Sequence, residues 1–170
     1  SGSVRPFTVN GDRSLIFANI NDLLGFEIGD LKTGKKLHRV EITDVPRGAA
    51  LRHGCPSHGI GMTPDEKQIW VSDGFNSTVH MFDATVMPPT LTDSVSLRGQ
   101  PGWVTFSIDG TMGWPSTGQA IDTKSHQIIA ALTDETGRAV ESEKLLEVDF
   151  QDGKVVAVGD QFGRGQVRDR

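Results

Sequence analysis

Apolar and polar positions alternate along this chain in short runs, and each run ends in a cluster of Gly, Pro, Asn or Asp. Residues 53–83 show the pattern most clearly. Ile60-Gly61-Met62 and Ile69-Trp70-Val71 flank the polar turn Thr63-Pro64-Asp65-Glu66-Lys67. A second turn, Asp73-Gly74-Phe75-Asn76, leads into the alternating run Thr78-Val79-His80-Met81-Phe82-Asp83. Runs rich in β-branched and aromatic residues, punctuated by Pro-Asp and Asp-Gly, predict antiparallel strands joined by tight turns. No long helix is expected.

The same pattern occurs three times. One forward shift places Trp70 on Trp114, Asp65 on Asp109, Met62 on Phe106 and Ile60 on Val104. One backward shift places Trp70 on Phe17, Ile69 on Ile16, Asp65 on Asp12, Met62 on Val9, Met81 on Ile28 and Asp83 on Asp30. Each copy predicts four strands: 6–10, 14–19, 24–30 and 36–43 in the first. In the second they are 58–63, 68–73, 78–83 and 94–98, and in the third 102–107, 111–116, 119–124 and 127–133. A closing hairpin follows over 143–150 and 154–160, turned at Gln151-Asp152-Gly153. Pro115 stands where Val71 stands in the second copy, so its strand is expected to be irregular or at a sheet edge. The extra length between the first two copies falls in 44–55, a loop carrying Pro46, Gly48 and Gly54. A loop that absorbs an insertion at a repeat boundary is a natural place for function.

Four-stranded units of this size, repeated, predict an all-β protein built of β-propeller blades. The domain is expected over 4–165, with blades at 4–43, 56–99 and 100–134 and the hairpin at 143–160; Ser1-Gly2-Ser3 reads as a cloning scar. Three blades make only an arc, which leaves two apolar sheet faces open, and such faces mark association surfaces. The expectation is therefore a second chain or a missing half that completes the propeller, a homodimer being one form of it. A two-sheet β-sandwich from the same strands is the alternative architecture.

Composition narrows the partners. The 170 residues include 20 glycines and carry a formal charge of −5, with no dense Lys/Arg stripe. Nucleic acid and anionic membrane are thus not expected as partners, and no apolar run is long enough for a membrane helix. The single cysteine cannot form an internal disulfide.

The series His58-Gly59-Ile60, Thr63-Pro64-Asp65, Trp70-Val71-Ser72-Asp73, then Asn76-Ser77-Thr78-Val79 and Phe82-Asp83 resembles the YVTN-type β-propeller repeat. Pro101, Gly102, Ser107, Asp109, Gly110, Asp122 and Thr123 fit its next copy, whereas the first copy departs, with Asn10-Gly11-Asp12 as its turn. The resemblance implies an exported, periplasmic or secreted protein. Some members of that family are lactonases, and others are non-catalytic propellers or subunits of periplasmic dehydrogenases.

Candidate chemistry gathers ahead of the second copy, where His53, Cys55 and His58 are spaced H-x-C-x-x-H. Imidazole and thiolate are ligands that Zn and Cu prefer, with His80 or water as a fourth. The plainer reading makes Cys55 a buried apolar residue, His58 a hydrogen-bonding partner of a neighbouring loop and His53 exposed. Cys55-Pro56-Ser57-His58 lacks the second cysteine of a haem attachment signal. Ser57 beside His58 is no triad signature, and no nucleophile elbow is present. A lactonase-like site would draw on Asp73, Asp109 or Asp160, although Asp109 suits a turn better.

Asp30, Asp83 and Asp122 recur at blade ends and are expected to cap turns. Trp70, Trp114 and Phe17 share a register and are expected between blades. Trp103, at the channel end of its blade, is the aromatic best placed to stack on a ligand. Arg52, Arg98 and Arg164 lie near blade boundaries as anion-binding candidates or plain surface charges, and Glu141-Ser142-Glu143 reads as exposed loop. The reading that unites these features is a non-catalytic propeller scaffold, binding a ligand or protein at its channel face through His58, Trp103 and Arg52, with no cofactor. The alternatives are a metal-binding or hydrolytic propeller enzyme, or a subunit of a periplasmic redox complex.

Overall fold

The computed structural model describes residues 2–46, 48 and 53–166. Their strands form three four-stranded antiparallel sheets and one hairpin. The first sheet runs in chain order through β1 (Val4–Val9), β2 (Leu15–Ile20), β3 (Gly25–Asp30) and β4 (Lys36–Glu41). The second contains β5 (Ser57–Met62), β6 (Gln68–Asp73), β7 (Thr78–Asp83) and β8 (Thr90–Ser96). The third contains β9 (Val104–Phe106), β10 (Met112–Pro115), β11 (Gln119–Asp122) and β12 (Ile128–Ala131). A separate pair, β13 (Val148–Gln151) and β14 (Lys154–Val158), follows. Among the described residues no helix is long and apolar enough to cross a membrane.

The turns follow from side-chain chemistry. Asp65 Oδ1 accepts from the Thr63 hydroxyl at 2.7 Å and from the Lys67 amide at 3.1 Å, closing the β5–β6 turn. Asp109 repeats this one blade later, accepting from Ser107 Oγ at 2.6 Å and the Thr111 amide at 2.9 Å. At the blade ends, Asp30 accepts from the amides of Lys32 and Thr33, Asp83 from Thr85, and Asp122 from Lys124 and Ser125. Each carboxylate stands in for a missing backbone acceptor, which is how Asp specifies a turn.

The core consists of two layers between sheets. Side chains along a strand alternate between faces, so β6 serves both layers. Ile69 and Val71 join Phe17, Phe26, Ile28, Ile60, Met62 and Phe82 between the first and second sheets. Trp70 points the other way, with Val79 and Met81, onto Val104, Phe106 and Ile121 of the third. Trp70 is fully buried and meets Phe106 edge-on at 5.2 Å between ring centroids. Gly113 on β10 makes this possible, because a Cβ there would overlap the indole ring. The inner strands β1, β5 and β9 lie side by side, so the sheets fan out from one axis as blades do.

Three expectations need correction. The outer strand of the second blade is Thr90–Ser96, not 94–98; its Thr- and Asp-rich sequence carries little apolar signal because the strand is exposed. Of the two readings for Pro115, the edge position is corrected and the irregular strand is what the structure shows. Pro115 ends β10, an inner member of its sheet, pairing with Val104, while the β10–β11 ladder stops at Gly113, so its missing N–H costs no ladder bond there. Trp114 is half-buried, not in the layer between blades: it lines a cavity of about 250 Å³ with Thr105, Leu132, Leu145 and Leu146.

Candidate functional site

His53 and His58 come together at the approach to β5. Their rings stack with centroids 3.9 Å apart and planes 17° from parallel. His58 Nδ1 donates to the Gly102 carbonyl at 2.8 Å, tying the second blade to the third. His53 Nε2 lies 2.5 Å from Glu143 Oε1. This pair sits over Gly102, where a Cβ would overlap both partners. Both His53 and Gly54 adopt left-handed backbone, with φ near 62° in each, which turns the chain back over the blade. Trp103 lies 6.4 Å from His58 between ring centroids, with Lys144 Nζ 4.1 Å above its ring. Burial pushes His58 below the ordinary histidine range, against the Gly102 bond that favours the charged ring; His53 alongside adds to the depression.

Cys55 does not face this cluster's polar side. Its thiol is buried and donates to the Ser57 carbonyl at 3.3 Å, and burial raises its pKa. Among the described residues, no group of three or more His, Cys, Asp or Glu side chains is arranged to hold a metal ion. Arg52 lies outside the described residues. Arg98 and Arg164 are both engaged: Arg98 donates to the carbonyls of Thr117, Leu132 and Val140, and Arg164 Nε to Asp160 at 2.9 Å. The Glu143 carboxylate, expected as an exposed loop charge, is instead only a quarter exposed and is the partner of His53.

Two buried oxygens beside His58-Gly59 have no hydrogen-bond partner among the described residues, Asn19 Oδ1 and Ser72 Oγ. Asn19 Nδ2 donates to the His58 carbonyl at 2.7 Å, and Ser72 Oγ lies 2.6 Å from where a Cβ on Gly59 would stand. An unspent buried acceptor costs about 1–3 kcal/mol. Such atoms are exceptions that call for a reason. The start of β5 therefore gathers aromatic rings, a titratable pair and unspent hydrogen-bonding capacity.

His80 is occupied elsewhere. Its Nε2 faces Asp73 Oδ2 at 3.1 Å and its Nδ1 faces Ser94 Oγ at 2.8 Å, with His80 and Asp73 fully buried. The Ser-His-Asp order is that of a hydrolase, but the ring is reversed: there the acid holds Nδ1 and Nε2 meets the serine. Asp73 is also saturated. Burial would raise its pKa, but bonds from His80, the Asn76 side chain and the amides of Phe75 and Asn76 hold it low. This network braces the β6–β7 turn.

Residues 160–166 cross the concave inner side of the three blades. Gly163 O accepts from Thr8 Oγ1 and from the Met62 amide, both at 2.6 Å, and the Gly165 amide donates to Val9 O at 3.0 Å. Trp103 Nε1 donates to Gln161 O at 2.7 Å. Asp160 is thereby a loop-capping acid: its carboxylate accepts from the amides of Phe162 and Arg164. Neither the His53–Glu143 pair nor this segment was foreshadowed by the repeat. The spacing Phe162-Gly163-Arg164-Gly165, with two glycines and no strand pattern, was the only available signal.

No family model and no curated protein sequence matches this chain. Solved structures match it in shape. Hydrazine synthase from Kuenenia stuttgartiensis superimposes with a TM-score of 0.65 at 13% identity, over 92% of this chain and 48% of that one. U3-55K gives 0.66 at 16% identity, over 91% and 48%. The WD40 repeats of RRP9 give 0.66 at 15% identity, over 91% and 47%. The fold is thus a partial β-propeller of WD40-like blades. This chain spans about half the length of the solved chains it matches.

Proposed function

We propose that the chain is a non-catalytic binding scaffold of the YVTN-type, taking a ligand or protein at the channel mouth beside His58 and Trp103, with Arg52 as a further contact. The observation that carries this reading is the concentration of aromatic rings around two unpartnered oxygens at the start of β5. Asn19 Oδ1 and Ser72 Oγ lack partners there, next to two stacked imidazoles and a half-buried indole. Asn19 Nδ2, His58 Nδ1 and Trp103 Nε1 are each engaged between elements, which leaves the ring faces and the two unpartnered oxygens for recognition. Aromatic surface with a few polar atoms is the usual make-up of a recognition site. The family resemblance further suggests a periplasmic or secreted setting.

Completion by a second chain, or by another half, belongs to the same reading. Phe150, Val156 and Val158 of the closing hairpin are more than half exposed. Light scattering is expected to show a dimer or a larger assembly, and a stable monomer with no tendency to associate would remove this element.

Peptides selected from a random display library against the whole chain test the site. They are expected to protect His58 from acylation by diethyl pyrocarbonate and to lose binding to Trp103→Ala. Selected peptides that bind Trp103→Ala and His58→Ala as well as the native chain would place recognition elsewhere and refute the proposal.

A further inference from the structure

The segment 160–166 is bound to the inner side of the blades as a peptide ligand would be, in a turn at 161–162 that the Asp160 carboxylate braces. Its anchors are mainly backbone groups. Gly163 O meets Thr8 Oγ1 and the Met62 amide, the Gly165 amide meets Val9 O, and the Gln166 amide reaches Pro64 O at 3.4 Å. The remaining anchor is the Trp103 indole on Gln161 O. Main-chain hydrogen bonds for affinity, with pockets for selected side chains, are a pattern by which proteins capture peptide segments.

The fit is selective for glycine. Gly163 has φ near 56°, and a Cβ there would stand 3.0 Å from the Gly61 Cα. At Gly165 it would stand 2.9 Å from the Gly11 amide nitrogen, and on the receiving side a Cβ on Gly11 would overlap the Gln166 carbonyl. The aromatic position is filled less completely. Phe162 keeps 45% of its surface exposed beside a largely apolar cavity of about 380 Å³ lined by Pro6, Phe7, Val9 and Trp103. A groove with closed glycine sockets and a roomy aromatic pocket accepts more than its present occupant.

We propose that this groove across β1, β5 and the approach to β9 is a peptide-binding site, with residues 161–166 as its internal ligand. The partner it takes in exchange is a segment of another protein with an aromatic-Gly-basic-Gly sequence that makes the same turn. The inference rests on the channel face being the binding surface, and deepens that reading by naming the occupant.

The test uses the full chain and its Gly163→Val variant. A β-branched side chain at a left-handed position, pressed on Gly61, expels the internal segment. The probe is a fluorescent synthetic peptide with the sequence of residues 160–166, followed by anisotropy. The variant is expected to bind it at least tenfold more tightly than the native chain does. A peptide carrying the same valine should not bind. Equal affinity for variant and native chain, or no binding by a variant that unfolds cooperatively, overturns the proposal. Where Gly163→Val fails to fold, Asp160→Ala with Arg164→Ala removes the loop brace without adding bulk and is judged by the same criterion. If the probe fails while library-selected peptides still compete at His58 and Trp103, only the groove assignment falls; if those fail too, the scaffold reading falls with it.

Discussion

The second blade and the hairpin β13–β14 contain similar apolar strand residues and meet opposite fates. Trp70, Val71, Val79 and Met81 are fully buried because blades stand on both sides of them. Phe150, Val155, Val156 and Val158 leave between 54% and 65% of their surface in water, although the hairpin pairs on both sides of a single register shift. Strand pairing is thus local, and burial is a property of the neighbour. A blade acquires its stability from the next one, as repeat architectures require.

The strongest way to break this comparison is to truncate matched aromatics. Trp70→Ala is expected to cost about 3–5 kcal/mol in denaturant unfolding, through a cavity the flanking sheets cannot close. Phe150→Ser should stay within about 0.5 kcal/mol, since an exposed side chain loses little. Comparable losses at both positions would show that the hairpin is covered in solution, which would itself report a partner on that face.

Next in size is the buried brace within the covered blade. His80→Ala removes the donor to Asp73 and the acceptor for Ser94 and is expected to cost about 1–3 kcal/mol, read from the thermal midpoint. A near-neutral result would mean that water replaces the ring, and that the second blade is less tightly closed than its burial indicates.

The half-covered mouth between these extremes should respond to pH. Burial depresses the His58 pKa, so the folded state prefers the neutral ring. That contribution to stability is complete above the ordinary value of 6.5 and is lost as pH falls from there through the folded value. His58→Gln should flatten the stability profile across this window. An unchanged profile would assign the pH dependence to other groups.

The smallest effect sharpens the comparison by its sign. Ser72 is buried in the covered blade, yet its hydroxyl has no partner among the described residues. Ser72→Ala should therefore be neutral to slightly stabilising in the free chain. A loss of stability would require a bond to that oxygen.

How far the fold was legible follows the same division. The spans of β6 and β7 match the expected 68–73 and 78–83 to the residue. Both strands are buried on two faces and bounded by aspartate-capped turns, so hydrophobicity and turn chemistry agree. The outer strand β8 escaped its true bounds because exposure leaves no apolar alternation to read. At the site, His58 and Trp103 were recognisable from blade register, and Gly102 from the repeat. Glu143 was not, since its pairing with His53 depends on two loops far apart in sequence. Asn19 and Ser72 look like any polar strand residue until burial without a partner distinguishes them. Trp114 shows the limit of register itself: it aligns with Trp70, but the third blade has no further four-stranded sheet to press against it.

Residues 160–166 act on the blades together as a chord acts on an arc. The segment is fastened to Thr8 and Val9 of the first sheet, to Met62 of the second and to Trp103 just ahead of the third. Opening the angle between sheets would lengthen at least one of those attachments. The curvature of the three-blade arc is thus held against opening by a strap across its inner side as well as by the packing between sheets.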